Sequence, residues 1–272
     1  VEGSFDDCQS LMKGLFADAD AKAGLSLGAV NSVNWARVLA QIVYYGYASL
    51  KFAATEPASF CVPTGNFGNV FAGFLAKRMG FPIDKLVIAT NDNDILARFF
   101  ETGDYARGEV HHTTSPAMDI QVASNFERYL YYHFGEDAER LSGFMATFAE
   151  TGIASVGGKP KTDDFLATAV SQEEVAATIA RVYRENGYVT DPHTAVGLAA
   201  ADRFKVAGVQ ICAATAHPAK FPEAVNEAIG ANVAHHPTLD ALKGLPVRKT
   251  LIPATTEAVR AFLDSHASAG VS

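Results

Sequence analysis

Hydrophobic positions along the chain follow two alternating patterns. Short unbroken apolar runs bounded by turn residues occur at SFCVPT (59–64), KLVIAT (85–90), YVT (188–190) and VQICAAT (209–215). Such runs mark strands buried on both faces. Between them, apolar residues recur at helical spacing over 34–49, 70–79, 94–101, 124–134, 138–150, 172–185, 194–207 and 256–265. Strands alternating with helices predict an α/β fold, a largely parallel sheet flanked by helices. From about 91 to 186 the pattern is mostly helical, which suggests a helical lobe inserted into the layer. The glycine-rich segment Gly152–Thr162 reads as a loop or junction. In the helix over 31–49, Trp35, Val38, Leu39 and Ile42 fall on one stripe and are predicted to be buried.

Composition narrows the function classes. A chain of 272 residues with 49% hydrophobic and 19% charged positions can bury a sizeable core. Lys and Arg number 22 against 30 Asp and Glu, a formal charge of −8. Without a basic excess there is no electrostatic footprint for nucleic acid or for an anionic membrane. No apolar run approaches the roughly 20 residues of a membrane-spanning helix, and VEGSFDDCQS lacks the parts of a secretory signal. The 3 cysteines, Cys8, Cys61 and Cys212, are too scattered for a disulfide framework or a metal motif. A reducing cytoplasm is the simplest setting, and no metal is expected.

Three places carry candidate chemistry. In SFCVPTGNFGNVFAGFLAKRMG, Gly65 and Gly68 bracket a turn from strand to helix. Such a turn presents unpaired N–H groups, and glycine lets the backbone approach an anion. Neither the nucleoside-triphosphate loop nor GxGxxG matches. The turn is therefore either an ordinary connection, with Asn66 and Asn69 as turn formers, or a phosphate cradle. At the second place Asn31 and Ser32 stand where helix caps belong, and Arg37 lies near the same end, against the helix dipole. An anion between them would explain the arginine. At the third, the strand 209–215 runs into Thr215, His217 and Pro218, where open α/β sheets bind ligands. In DPHTAVG (191–197), Asp191 or Thr194 is placed to cap a helix, and His193 either faces the site or packs.

Seven segments in order, VEGSFDDCQ, GAVNSVNWARVLAQIVYY, VPTGNFGN, LVIATNDNDIL, SPAMDI with SNFERYLYY, DPHTAVG and TAHPAKF, resemble threonine synthases of the long bacterial and fungal type. The match runs from residue 1 to about 228. The resemblance implies a fold-type II enzyme, similar to the tryptophan synthase β chain, that uses pyridoxal 5′-phosphate. Its expected reaction converts O-phospho-L-homoserine and water to L-threonine and phosphate, the last step of threonine biosynthesis. It implies a cofactor-phosphate cradle at Gly65, Asn66, Phe67, Gly68 and Asn69, and Thr215 against the pyridine nitrogen. Substrate phosphate falls to Asn31, Ser32 and Arg37. Some relatives carry Asp where this chain has Asn69.

The family's Schiff-base lysine lies in a Phe-Lys-Asp context, and no FKD occurs here. Lys220, in HPAKF, belongs to a pattern the family carries besides that lysine, so it is read as non-catalytic. The expectation is a carboxy-terminal part of a longer enzyme, inactive alone and completed by the amino-terminal part. Two alternatives remain: a non-catalytic phosphate-ligand-binding fragment or paralogue, and another fold-type II enzyme such as a hydroxyamino-acid dehydratase.

Overall fold

The computed structural model describes residues 1–3, 5–25, 27–28, 34–53 and 55–267. Its first elements are α1 (Phe5–Ala17), α2 (Ala19–Leu25), α3 (Trp35–Phe52), β1 (Ala58–Pro63), α4 (Gly68–Arg78) and β2 (Ile83–Thr90). There follow α5 (Ile95–Thr102), β3 (Asp104–Ala106), α6 (Phe126–His133), α7 (Ala138–Thr151), β4 (Ile153–Ser155) and β5 (Phe165–Ala169). The last are α8 (Gln172–Asn186), α9 (Pro192–Arg203), β6 (Gln210–Cys212), α10 (Pro222–Ile229), α11 (Pro237–Asp240) and α12 (Thr256–Ala267). Single 3-10 turns lie at Pro116–Met118 and Pro218–Lys220.

The chain divides into two units, residues 1–31 with 244–272 and residues 32–243. In the smaller, α1, α2 and α12 pack together and Arg260 pairs with Asp18 at 3.4 Å. The larger is built on a parallel sheet in the order β5-β2-β1-β6. Side chains alternate across that sheet. Phe60 and Val62 of β1, with Leu86 and Ile88 of β2, face a core shared with α3 to α7. Cys61, Val87 and Ala89 face a second core beneath α8 to α10. Burial pushes the Cys61 and Cys212 thiols up to about 12, so both behave as small hydrophobes.

Several expectations change. YVT (188–190) is not a strand: it leads into the cap of α9, with Tyr188 exposed and Thr190 buried. The fourth strand is β5, FLATA, whose alanines carry little strand propensity. The segment 91–186 thus contains a strand of the main sheet besides its helices, and Gly152–Thr162 contains β4, paired antiparallel with β3. In α3 the buried stripe is Val38, Ile42, Tyr45 and Ser49, while Trp35 and Leu39 are exposed. The stripe is rotated because the tyrosine at 45, not the tryptophan at 35, is the ring that enters the core.

Helix α9 lies hard against β1 and β6. A Cβ on Gly197 would sit 2.7 Å from Cys212 Sγ and 3.1 Å from the Pro63 ring. Gly197→Ala is expected to push the helix off the strands and to cost about 1–3 kcal/mol. The measurement is a lower denaturant midpoint with an unchanged slope.

Candidate functional site

Strand order reverses at β1. The chain leaves β1 through α4 on one face and reaches β2, whereas β6, on the other side of β1, is reached through α9 on the opposite face. Cys61 and Cys212 are register partners, so the segments after β1 and β6 emerge side by side and then diverge. Such a switch point opens a crevice at the carboxyl ends of the strands, where open α/β sheets bind ligands. Gly65 follows β1 into it and Thr215 follows β6.

Gly65, Asn66, Phe67 and Asn69 of the turn 65–69 are each held from a different part of the chain. Against Gly65 lies the backbone of the 116–118 turn, with Ala117 O only 2.9 Å from where a Cβ would stand. The Asn66 side-chain oxygen accepts from the Ser124 N–H at 3.4 Å and hydroxyl at 3.2 Å. Its carbonyl accepts from the Asn125 N–H and side-chain amide, both at 3.1 Å. Phe67 has φ +64°, a left-handed conformation rare for a bulky residue, and its buried ring packs against Phe126, Tyr129, Phe165 and Phe100 at 5.1–6.4 Å. Asn69 accepts from the hydroxyls of Tyr44 at 2.5 Å and Tyr45 at 2.8 Å, tying α4 to α3. Phe67 offers no side-chain cap to α4. The first N–H groups of that helix therefore carry the positive end of its dipole without a capping oxygen.

The segment opposite Gly65 is a largely exposed loop tied down by buried polar side chains, Asn91, Asn93 and Gln121. Asn91 donates to Thr113 Oγ1 at 2.8 Å, to Ser115 Oγ at 3.0 Å and to Asp119 Oδ1 at 2.8 Å. Asn93 donates to the His111 carbonyl and accepts from the His111 N–H at 2.9 Å. Gln121 donates to the Glu109 carbonyl and accepts from Gly108 N–H. Two buried amide side chains thus hold the backbone of the exposed stretch 108–111 against the end of the sheet.

On the Thr215 side, Asp191 is the N-cap of α9 and is almost fully buried. Its Oδ1 accepts from His193 N–H at 2.9 Å, Thr194 N–H at 3.3 Å and His193 Nδ1 at 3.1 Å. Its Oδ2 accepts from the Thr194 hydroxyl. Burial pushes the carboxyl pKa up, but hydrogen bonds from His193 and Thr194 outweigh it and hold the group below the usual carboxylate range.

Of the sequence-derived candidates, Gly65, Asn66, Phe67, Gly68, Asn69 and Thr215 fall at the switch point. Asn31 and Ser32 lie outside the described residues. Asn34, which accepts from Ala36 N–H at 2.9 Å, is the N-cap of α3, and Arg37 stands exposed in its first turn. His217 caps the 3-10 turn at 218–220 and meets His236 ring to ring at 5.1 Å, and Lys220 is exposed on that turn. Among the described residues no group of three His, Cys, Asp or Glu could hold a metal, and no helix is long and apolar enough to cross a membrane. Sequence reasoning missed two features: the left-handed Phe67 and the buried Asn91–Asp119 network. NDND beside SPAMDI was the available signal for the second.

Residues 194–263 match the family model described as threonine synthase, C-terminal. Threonine synthase from Pseudomonas aeruginosa is 44% identical over 99% of this chain and 59% of its own length. The crystal structure of threonine synthase from Brucella melitensis with PLP bound is similar at a TM-score of 0.87 and 44% identity, over 98% of this chain and 58% of that one. The yeast enzyme's structure matches at 0.83 and 36%, over 99% and 59%. The fold and these matches place the chain among the fold-type II α/β proteins. Within that class it belongs to the threonine synthase family. It spans about three-fifths of the length of the relatives just named.

Because the folded-state pKa of Asp191 is depressed, its contribution to stability is present above about pH 3.8, the ordinary value, and is lost as pH falls through the lower folded value. Thermal unfolding of wild type and Asp191→Asn should differ at pH 6 and converge on acidification below pH 4, with the variant's curve the flatter. Parallel curves would contradict the depressed pKa.

Proposed function

We propose that this chain supplies the cofactor-phosphate cradle and the pyridine-nitrogen contact of a threonine synthase acting on O-phospho-L-homoserine. The observation that carries the reading is the uncapped start of α4, presented beside Thr215 at the switch point by a turn clamped from four directions. A phosphate monoester suits that donor set: backbone N–H groups, a helix dipole and a neutral Asn69 in place of a carboxylate. Gly65 lets the 116–118 turn close against the cradle, and Phe67 fixes the path of the turn. Asn66 and Asn69 hold the turn with their side-chain oxygens rather than presenting those oxygens to an anion. Thr215 offers a hydroxyl, without formal charge, to the ring nitrogen. When bound, the cofactor supplies an electron sink conjugated to the amino-bearing carbon of the substrate.

Arg37, with Asn31 and Ser32, is proposed for the substrate phosphate, where a guanidinium would stabilise charge growing on the leaving group. The covalent anchor is assigned to the family's lysine in its Phe-Lys-Asp context and not to Lys220. The cytoplasm is the proposed setting.

Titration with pyridoxal 5′-phosphate and with pyridoxal tests the cradle. The phosphorylated form should bind more tightly by roughly one to two orders of magnitude, the worth of charge-assisted hydrogen bonds. Gly65→Ala should erase most of that preference, since its Cβ meets backbone at 2.9 Å. Equal binding of the two ligands by wild type would overturn the reading.

Arg37→Ala, in the enzyme of full family length, should raise KM for phosphohomoserine and leave any deamination of serine or threonine intact. Equal loss of both would overturn the assignment of Arg37 to the substrate phosphate.

A further inference from the structure

Three polar side chains at the start of α9, Asp191, His193 and Thr194, are buried more completely than a helix cap requires. One carboxylate oxygen already serves the cap, accepting from the N–H groups of His193 and Thr194. The remaining bonds lead away from the helix in two directions. The Thr194 hydroxyl donates to Asp191 Oδ2, which turns the lone pairs of Thr194 Oγ1 outward, and the Thr215 N–H donates to Thr194 Oγ1 at 3.4 Å. His193 Nδ1 faces Asp191 Oδ1 at 3.1 Å, and Nε2 accepts from the Ala117 N–H at 3.4 Å. That pattern corresponds to the tautomer with its proton on Nδ1. Phe221 covers the imidazole with ring centroids 4.8 Å apart.

We propose that Asp191 is the positioning residue for both halves of the site, holding Thr215 through the Thr194 hydroxyl and the turn opposite Gly65 through the His193 ring. The proposal rests on the reading of the site given above and adds a residue to it. Ala117 is the residue whose carbonyl closes against Gly65. Thr215 is the residue proposed to meet the ring nitrogen. The two belong to segments far apart in sequence, and one buried carboxylate orients the acceptors for both. An asparagine at 191 would still cap α9. Its amide hydrogens, facing Thr194, would make that hydroxyl an acceptor there and turn its proton toward the Thr215 N–H. A threonine or serine at 191 would cap the helix and serve only one arm.

Amide hydrogen exchange on the chain itself separates this role from general support. Losing one such hydrogen bond should speed exchange of the freed amide roughly fivefold. Thr194→Val should do so at Thr215 and not at Ala117, while Thr194→Ser restores the wild-type rate. His193→Phe should do so at Ala117 and not at Thr215. Asp191→Asn, which keeps the oxygen that serves the cap and His193, should speed Thr215 and spare Ala117, whereas Asp191→Ala should speed both, relative to β2 core amides. A uniform rise across the larger unit, or no rise at Thr215 in Thr194→Val, overturns the proposal.

The same variants are then titrated with pyridoxal 5′-phosphate and with inorganic phosphate. Thr194→Val should weaken the first and leave the second unchanged, because only the first carries a ring nitrogen. Equal weakening of both overturns the positioning of Thr215. Failure of the wild type to prefer pyridoxal 5′-phosphate over pyridoxal is a different result, and it overturns the functional reading even where the exchange pattern is as expected.

Discussion

The site depends on a phenylalanine held in a left-handed conformation. A non-glycine residue there costs on the order of 1–3 kcal/mol, and the surrounding rings provide the return. Phe67 lies edge-on to Phe126 and near Phe100, Tyr129 and Phe165, within an aromatic cluster that spans α4, α5, α6 and β5. Pairs of this kind contribute roughly 0.5–1.5 kcal/mol each beyond their buried area. With the ring anchored below, the chain must reverse its twist between β1 and α4. That reversal leaves the first N–H groups of α4 at the strand end without a side-chain cap. Conformational cost and uncapped donors are thus two consequences of one anchored ring.

Rigidity around the turn comes from polar groups that would be costly if left unpaired. Asn91, Asn93 and Gln121 are buried and, with Asp119, tie a largely exposed loop to the end of the sheet. The loop then carries Ala117 against Gly65. Removing one partner from such a set leaves a buried donor or acceptor unsatisfied, at about 1–3 kcal/mol. The network therefore favours one arrangement of the turn and penalises the alternatives.

Much of this was legible in the residues, and the misses have physical causes. The runs at 59–64 and 85–90 became β1 and β2 because Val, Ile and Phe dominate them. Gly65 was visible as a turn former, but the reason for it, a backbone approach from residue 117, is a tertiary fact with no local signature. Phe67 gave no warning, since its left-handed geometry is imposed by rings that lie up to about 98 positions away in sequence. Helix α3 misled because its apolar residues ring most of the helix, so spacing alone could not say whether Trp35 or Tyr45 entered the core. The strand β5 escaped because FLATA owes its place to pairing with β2 rather than to propensity. Asp191 was visible as a cap, and its further bonds were not, because Thr215 and Ala117 are distant in sequence.

The placement of charge follows a consistent logic on the proposed reading. A carboxylate at the switch point would repel the phosphate that the α4 start is built to receive, and would favour a protonated ring nitrogen. A hydroxyl at 215 does neither. Yet a hydroxyl on an open strand end has no fixed direction unless its backbone is fixed. Asp191 resolves this from one hydroxyl further back. Its charge is spread over two backbone N–H groups, an imidazole and the Thr194 hydroxyl, so the donors nearest to it absorb most of its field. What reaches the crevice is orientation, passed through Thr194 to Thr215 and through His193 to Ala117. The separation of charge from orientation explains why an acidic residue lies one link behind an anion cradle and not inside it.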